Sequence, residues 1–327
     1  MRELSEIFLR EVERLPNSPE TGIAYRGKGV THLFAGEYVD ARVLLERALE
    51  KFDPARDSDL AFRFGHDAGV GAMANLARAL WPLGEVDRAR EIVARMAARL
   101  SEINHVATLA YASMVAMMFE LMRRDGTRAE PHARALAGLA REHEMEQWKA
   151  FGIFTEGWLA AGQGDSIAAL ADMRRGLAEL AARKIVAHVG LFKTVLAEVE
   201  AEMGDFRAAL DSIDAAIAES EGTGQRWYDA EFHRVRGEIL LKQNPADPTA
   251  AEDSFLTAIA IAQAQKARSF ELRAALALAK LYCAAGRDAD AHAALGPALE
   301  GFSPTPEFPE TGEALALMAD TKACARS

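Results

Sequence analysis

The string most like catalytic machinery runs from Gly22 to Gly29 and reads GIAYRGKG. Its spacing approaches that of a phosphate-cradling loop, where backbone N–H groups and one lysine hold a nucleotide while a following Ser or Thr holds Mg²⁺. Gly29 stands where that hydroxyl is needed, and PNSPET, a helix-capping turn with no strand before it, precedes the string. Helix packing accounts for it better. His143 and Glu144 open like a zinc-peptidase HExxH, but Gln147 occupies the place of the second histidine, so no metal site is implied. The remaining histidines are scattered, and none meets a Cys or Ser at a spacing that local geometry would join; pairing between distant segments stays open. Carboxylates at helical spacing are mostly solvated faces. The expectation is therefore no catalytic residue and no cofactor.

Composition narrows the class further. The 327 residues carry 38 Lys and Arg against 49 Asp and Glu, a net charge of −11, which argues against an electrostatic grip on nucleic acid or an anionic membrane. Half the residues are hydrophobic but only 7% are aromatic. A mixture dominated by Ala and Leu belongs to packed helices rather than to sheets. Two cysteines, Cys283 and Cys324, make neither a disulfide framework nor a zinc site and fit a reducing cytoplasm. The opening MRELSEIFLREVERL carries four glutamates through its apolar positions, so it reads as an amphipathic helix rather than a signal peptide. No apolar run reaches the roughly 18 residues that a membrane span requires, and a soluble chain is expected.

Stepping along the chain, one segment returns: Gly, four residues, Ala, then apolar positions four apart. Clear copies begin at Gly36, Gly84, Gly164, Gly204 and Gly286. Degraded ones begin at Gly126, where Pro131 replaces the Ala, and at Ala246, where the Gly is missing. A period near forty residues means stacked helical pairs. Each Gly opens a turn, and Ala41, Ala89, Ala169, Ala209, Ala251 and Ala291 let a second helix come close to its partner. Pairs such as Leu45/Leu49 and Ile213/Ile217 share one helix face and form core. Seven residues before the turns stand Gly29, Ala77, Gly157, Ala197 and Ala279, with Gly237 displaced by two, marking the first helix of each pair. The predicted architecture is all-α, a right-handed superhelix of about seven helix pairs forming a single array over 1–327, with turns near the seven positions named. Residues 51–66 form a longer connection, a C-terminal capping helix lies within 303–320, and 321–327 is a frayed tail.

Small residue, Gly turn and Ala in this order resemble the tetratricopeptide repeat, and the resemblance covers nearly the whole chain. More narrowly, FGHDAGVGAMANLARALWPLGEVDRAR (64–90) and the stretch 230–295 are similar to the C-terminal repeat region of bacterial adenylate/guanylate cyclases and ATPase-linked, MalT-like regulators. That resemblance implies a regulatory array whose cyclase, ATPase or output activity would sit in domains not found in this sequence.

In such an array the first helix of each pair lines the concave wall. Counting from the small packing residues places Arg26, Arg78, Trp81, Glu120, Arg123, Phe151, Phe154, Trp158, Glu198, Glu231, Arg234, Glu238, Arg273 and Lys280 there. Phe151, Phe154 and Trp158, with Trp148 a turn earlier, would anchor a peptide beside arginine forks that hold its carboxylates. Aromatics at this spacing equally suit helix-pair core, and Arg234 and Arg273 equally suit pairing with Glu231 or Glu271. The expected function is non-catalytic: a protein-binding module of a bacterial signalling protein, holding a peptide or the cyclase or ATPase domains of a longer parent chain. The alternative is a solenoid that senses a small-molecule effector.

Overall fold

A computed structural model describes residues 2–15, 18–163 and 166–324. These residues form seventeen α-helices, and among them there is no strand, only one isolated bridge between Thr305 and Phe308. Seven helix pairs follow one another: α2 (Glu20–Phe34) with α3 (Tyr38–Lys51), α5 (Ala68–Leu80) with α6 (Val86–Leu100), α7 (Val106–Met122) with α8 (Gly126–Glu142), α9 (Glu146–Ala161) with α10 (Ser166–Ala182), α11 (Val189–Glu202) with α12 (Phe206–Thr223), α13 (Asp229–Gln243) with α14 (Thr249–Ala264), and α15 (Arg268–Ala284) with α16 (Asp288–Leu299). Three helices stand outside the pairs: α1 (Arg2–Glu13), the short α4 (Leu60–Phe64) within the longer connection, and α17 (Glu310–Cys324).

The turns show why the chain reverses where it does. Gly36, Gly84, Gly204 and Gly286 have φ between 71° and 88°, the left-handed conformation that ends a helix and that glycine adopts without a Cβ penalty. At the third turn the left-handed residue is Arg124 rather than Gly126, which is already the first residue of α8. Asp125 supplies the cap there, its carboxylate accepting from the Arg128 N–H at 3.0 Å, and Asp205 caps α12 in the same way at 3.1 Å. The turn expected at Gly164 lies outside the described residues.

Close approach within pairs depends on the small residues. A Cβ on Gly157 would stand 2.8 Å from the Ala169 carbonyl oxygen and 2.9 Å from the Met173 nitrogen, and one on Gly176 would stand 2.7 Å from the Phe154 nitrogen. Backbone atoms cannot yield as side-chain ends do, so α9 and α10 pack at this distance only with glycine at both places. A Cβ on Gly29 would meet the Leu45 side chain and one on Gly237 the Phe255 ring, and the Gly22–Gly29 string lies inside α2 with Gly22 and Gly29 packed against α3.

Contacts gather into two compact units, one of Met1–Trp81 and Arg88–Leu191, the other of Pro82–Asp87 and Phe192–Ser327. In the first, α2, α5 and α7 pack on one another in order, and α8, α9 and α10 continue the stack. In the second, α13 and α15 are neighbours in the same way, and α17 packs on both α15 and α16. The first helices are the most enclosed elements, and every residue of α5 is buried.

Candidate functional site

Because the first helices are enclosed, charged side chains on them are buried too: Arg78, Glu120, Glu231, Arg234, Glu271 and Arg273. A buried charge is costly unless paired, so its partners decide what the wall can do. The two units answer differently.

In the second unit the charges are matched. Arg234 donates from Nε to Glu231 at 2.8 Å and from Nη1 to Glu238 at 2.5 Å, with Glu198 at 3.9 Å. Arg273 donates from Nε to Glu310 of α17 at 2.6 Å and reaches Glu231 at 3.4 Å, with its guanidinium 5.7 Å from the Phe308 ring centre. Burial alone would lower the Arg234 pKa, but Glu231, Glu238 and Glu198 together hold it well above its ordinary value. Tyr228 is raised by burial and by the Glu231 charge. Lys280, more exposed, pairs with Glu313 at 2.7 Å. Arg234 and Arg273 thus pair inside the array, and Glu231 is their shared partner.

In the first unit the nearby Arg123 is matched as well: it bonds Glu120 and lies 3.6 Å from Asp125, while Arg90 holds Glu120 with bonds of 2.7 and 3.0 Å. The aromatic positions divide. Phe151 and Phe154 are buried and pack the α9–α10 pair, and Trp81 is fully buried, so these three are core where a groove lining was expected. Trp158 is only part-buried, and its ring approaches the start of α8 at Gly126. Trp148 keeps its indole N–H enclosed with no hydrogen-bond partner, 5.9 Å from Phe151.

The other polar group of the first unit runs along α5. Gly71, Asn75 and Arg78 fall at i, i+4 and i+7, one helix face. At Gly71, where a Cβ would collide with both, Arg26 of α2 meets Nε2 of His66. His66 stacks on Tyr111 of α7 with ring centres 4.0 Å apart and planes 14° from parallel. Asn75 donates to the Gly71 carbonyl at 2.7 Å and to the Tyr111 hydroxyl at 2.9 Å. One turn on, Arg78 lies 3.3 Å from His188 Nδ1 and 5.8 Å from the Phe34 ring centre. Burial pulls Arg78 down to about 10, with the Tyr111 and Tyr38 phenols opposing the fall. His66 is pushed down to about 3 by burial and then by Arg26 and His105, while burial and Arg78 depress His188 well below its usual range. Both imidazoles are therefore neutral at physiological pH.

Helix counting places Arg26 and Arg78 on the wall but not Asn75, Tyr111, His66 or His188. The i, i+4, i+7 series Gly71–Asn75–Arg78 was the available signal for the first of them. His143 caps the end of α8 and Glu144 has φ 48°, so the two lie in a turn and not on a metal-binding helix. His32, Glu37 and Asp40 bring ligand atoms within 4.8 Å of one another, but Glu37 is already engaged by Arg2 and by His32 Nδ1.

With this geometry in place, the chain can be compared with known proteins. No family model matches it. An uncharacterized protein of Rhizobium meliloti (strain 1021) is 24% identical over 253 residues, 77% of this chain and 24% of its own length. The chain thus spans about a quarter of that relative. Among solved structures, Rap protein complexed with competence and sporulation factor superposes with a TM-score of 0.59 over 94% of this chain and 89% of its own, at 14% identity. Yeast Tom70 aligns over 99% of the chain and 95% of its own at 12% identity, with a TM-score of 0.23 that carries no argument. The fold is an α-α superhelical solenoid of the tetratricopeptide-like kind. Among the described residues no helix is long and apolar enough to cross a membrane.

Proposed function

We propose that this chain is a non-catalytic protein-binding module, in which the first-helix wall holds a peptide or a neighbouring domain. The observation that carries the reading is the wall itself: a helical repeat needs only small and aliphatic residues to stack, yet these first helices carry arginines, glutamates and Asn75 within them and leave Tyr111 and Trp158 part-buried and Lys280 exposed. The part-buried Trp158 fits an aromatic anchor, and the enclosed ion pairs fix the wall around it. The solved structure of the same fold holds a second molecule, competence and sporulation factor, which supports a binding role for this fold. The relative, of whose length the matched stretch is 24%, together with the resemblance of 64–90 and 230–295 to cyclase- and ATPase-linked regulators, favours a place beside catalytic or output domains in a bacterial signalling protein.

Trp158 is the wall aromatic that can be changed with least damage to the core. Trp158→Ala should leave helicity intact, by circular dichroism, and lower the affinity for a bound partner segment by roughly tenfold or more, the ordinary cost of losing a tryptophan anchor. Undiminished affinity would remove Trp158 from the site.

A further inference from the structure

The turn between α2 and α3 gathers an imidazole and two carboxylates. Gly36 ends α2 in the left-handed conformation, and the Glu37 N–H bonds back to the His32 carbonyl at 3.0 Å, a closure that holds these two residues together. Glu37 then opens α3, its carbonyl accepting from the Ala41 N–H, and Asp40 comes round to the same side three residues on. One ligand atom from each of His32, Glu37 and Asp40 lies within 4.8 Å of the other two, and among the described residues no other group of His, Cys, Asp or Glu comes together so closely. His32 is largely enclosed, and its Nδ1 faces the Glu37 carboxylate at 2.5 Å, so the ring is set before any ion arrives. The same backbone closure recurs at Asp125 and Arg287, whose N–H groups bond Glu120 and Tyr282. In those turns an arginine of the turn itself meets the carboxylate: Arg128 lies 3.4 Å from Asp125, and Arg287 lies 2.8 Å from Asp290. At the first turn the positive charge comes from another helix, from Arg2 of α1, which bonds Glu37. That bond and the Glu37 charge raise the Arg2 pKa, with smaller contributions from Glu6 and Asp40, so the turn is a focus of negative potential that draws a cation.

We propose that His32, Glu37 and Asp40 form a binding site for a zinc ion, which enters by displacing the Arg2 guanidinium from Glu37. The donor set selects the metal: an imidazole nitrogen among carboxylate oxygens suits zinc, whereas Mg²⁺ and Ca²⁺ take oxygen ligands. Two carboxylates balance the charge of the dication, and a neutral His32 with its hydrogen on Nε2 offers Nδ1 as the third ligand. Three protein ligands leave the fourth tetrahedral position to water. Arg2 can be displaced because its side chain is 53% exposed and an exposed ion pair is weak. Zinc therefore removes one tie between α1 and the first helix pair, while Leu9 and Val12 keep their packing with Ala24 of α2. The site sits at a turn of the first unit and does not depend on the protein-binding reading; either can fail alone.

The test is equilibrium dialysis of the full chain against increasing zinc chloride at pH 7.5, with Mg²⁺ in excess throughout and bound metal measured by atomic absorption. One zinc ion per chain should be retained. His32→Ala should weaken binding by roughly tenfold or more, since loss of even an outer partner of a metal ligand costs that much. Asp40→Asn, a change of the same size on an exposed side chain, should weaken it several-fold and decides the matter if His32→Ala does not fold. Arg2→Ala should tighten zinc by about two- to fivefold, the worth of the exposed ion pair that the metal has to break. Cobalt(II) in place of zinc should give the visible absorption of a four-coordinate bound ion, and His32→Ala should lose it. No zinc retained against Mg²⁺, or equal retention by the unaltered chain, His32→Ala and Asp40→Asn, overturns the site. Unchanged or weaker zinc binding in Arg2→Ala overturns the displacement of Arg2.

Discussion

Glu231 shows how single residues hold the second unit together. Its carboxylate is fully buried and shared by Arg234 and Arg273, so Glu231→Gln takes one charge from both guanidiniums and leaves Arg234 to Glu238 and Arg273 to Glu310. A loss of about 1–3 kcal/mol is expected, read from the urea midpoint, and replacing Arg234 by Met in the same chain should recover part of it. Glycines act at the same scale. Gly157→Ala and Gly176→Ala place a methyl group against backbone and should each cost about 1–3 kcal/mol, whereas Gly27→Ala, with open space around its Cβ, should cost nothing. The histidines fix the acid limit. His66 and His188 are held neutral in the fold, whereas the unfolded chain takes up protons below about pH 6.5. Stability is therefore complete above that pH and falls as the pH drops towards 3, by about 1.4 kcal/mol per unit for each histidine kept neutral. His66→Phe should flatten the fall; an unchanged slope would mean that His66 is not enclosed.

Among the elements, the helix pairs were legible because their signal is local. Gly, Ala and the apolar spacing each answer to a steric need within one turn or one pair, and four of the turns do use glycine with a positive φ. The Lys184 and Lys266 turns were not legible, because an ordinary residue takes the left-handed position there, and the turn near Gly126 was legible although Arg124 takes that position in it. Lys184→Gly should accordingly gain about 0.5–1 kcal/mol by relieving that conformation, measured by denaturant unfolding. The final helix α17 runs from Glu310 to Cys324, four residues past the 303–320 expected for the capping helix, and its Glu310 and Glu313 bind Arg273 and Lys280 of α15; 325–327 lie outside the described residues. The site was legible only in part. Arg26 and Arg78 follow from counting along helices, but Asn75 meets Tyr111 across 36 residues and Arg78 meets His188 across 110, contacts that no local pattern encodes. Aromatic spacing was ambiguous for a physical reason, since the same interval that lines a wall also fills a pair, and burial assigned Phe151 and Phe154 to the pair.

For the whole molecule the account rests on a division of labour: second helices supply small and aliphatic packing, and first helices supply the recognising surface. A residue that reacts on contact, placed in turn at wall and outer positions in cells that make the protein, measures that division most directly. A photo-crosslinking amino acid at Trp158 or at Lys280 should capture a discrete polypeptide, whether a separate partner or another part of a longer parent chain. The same amino acid at Glu50 on the exposed face of α3 should capture none. Capture of one polypeptide from the wall positions alone is the result this account predicts. Equal capture from Glu50 and Trp158, or none from either wall position, would contradict it.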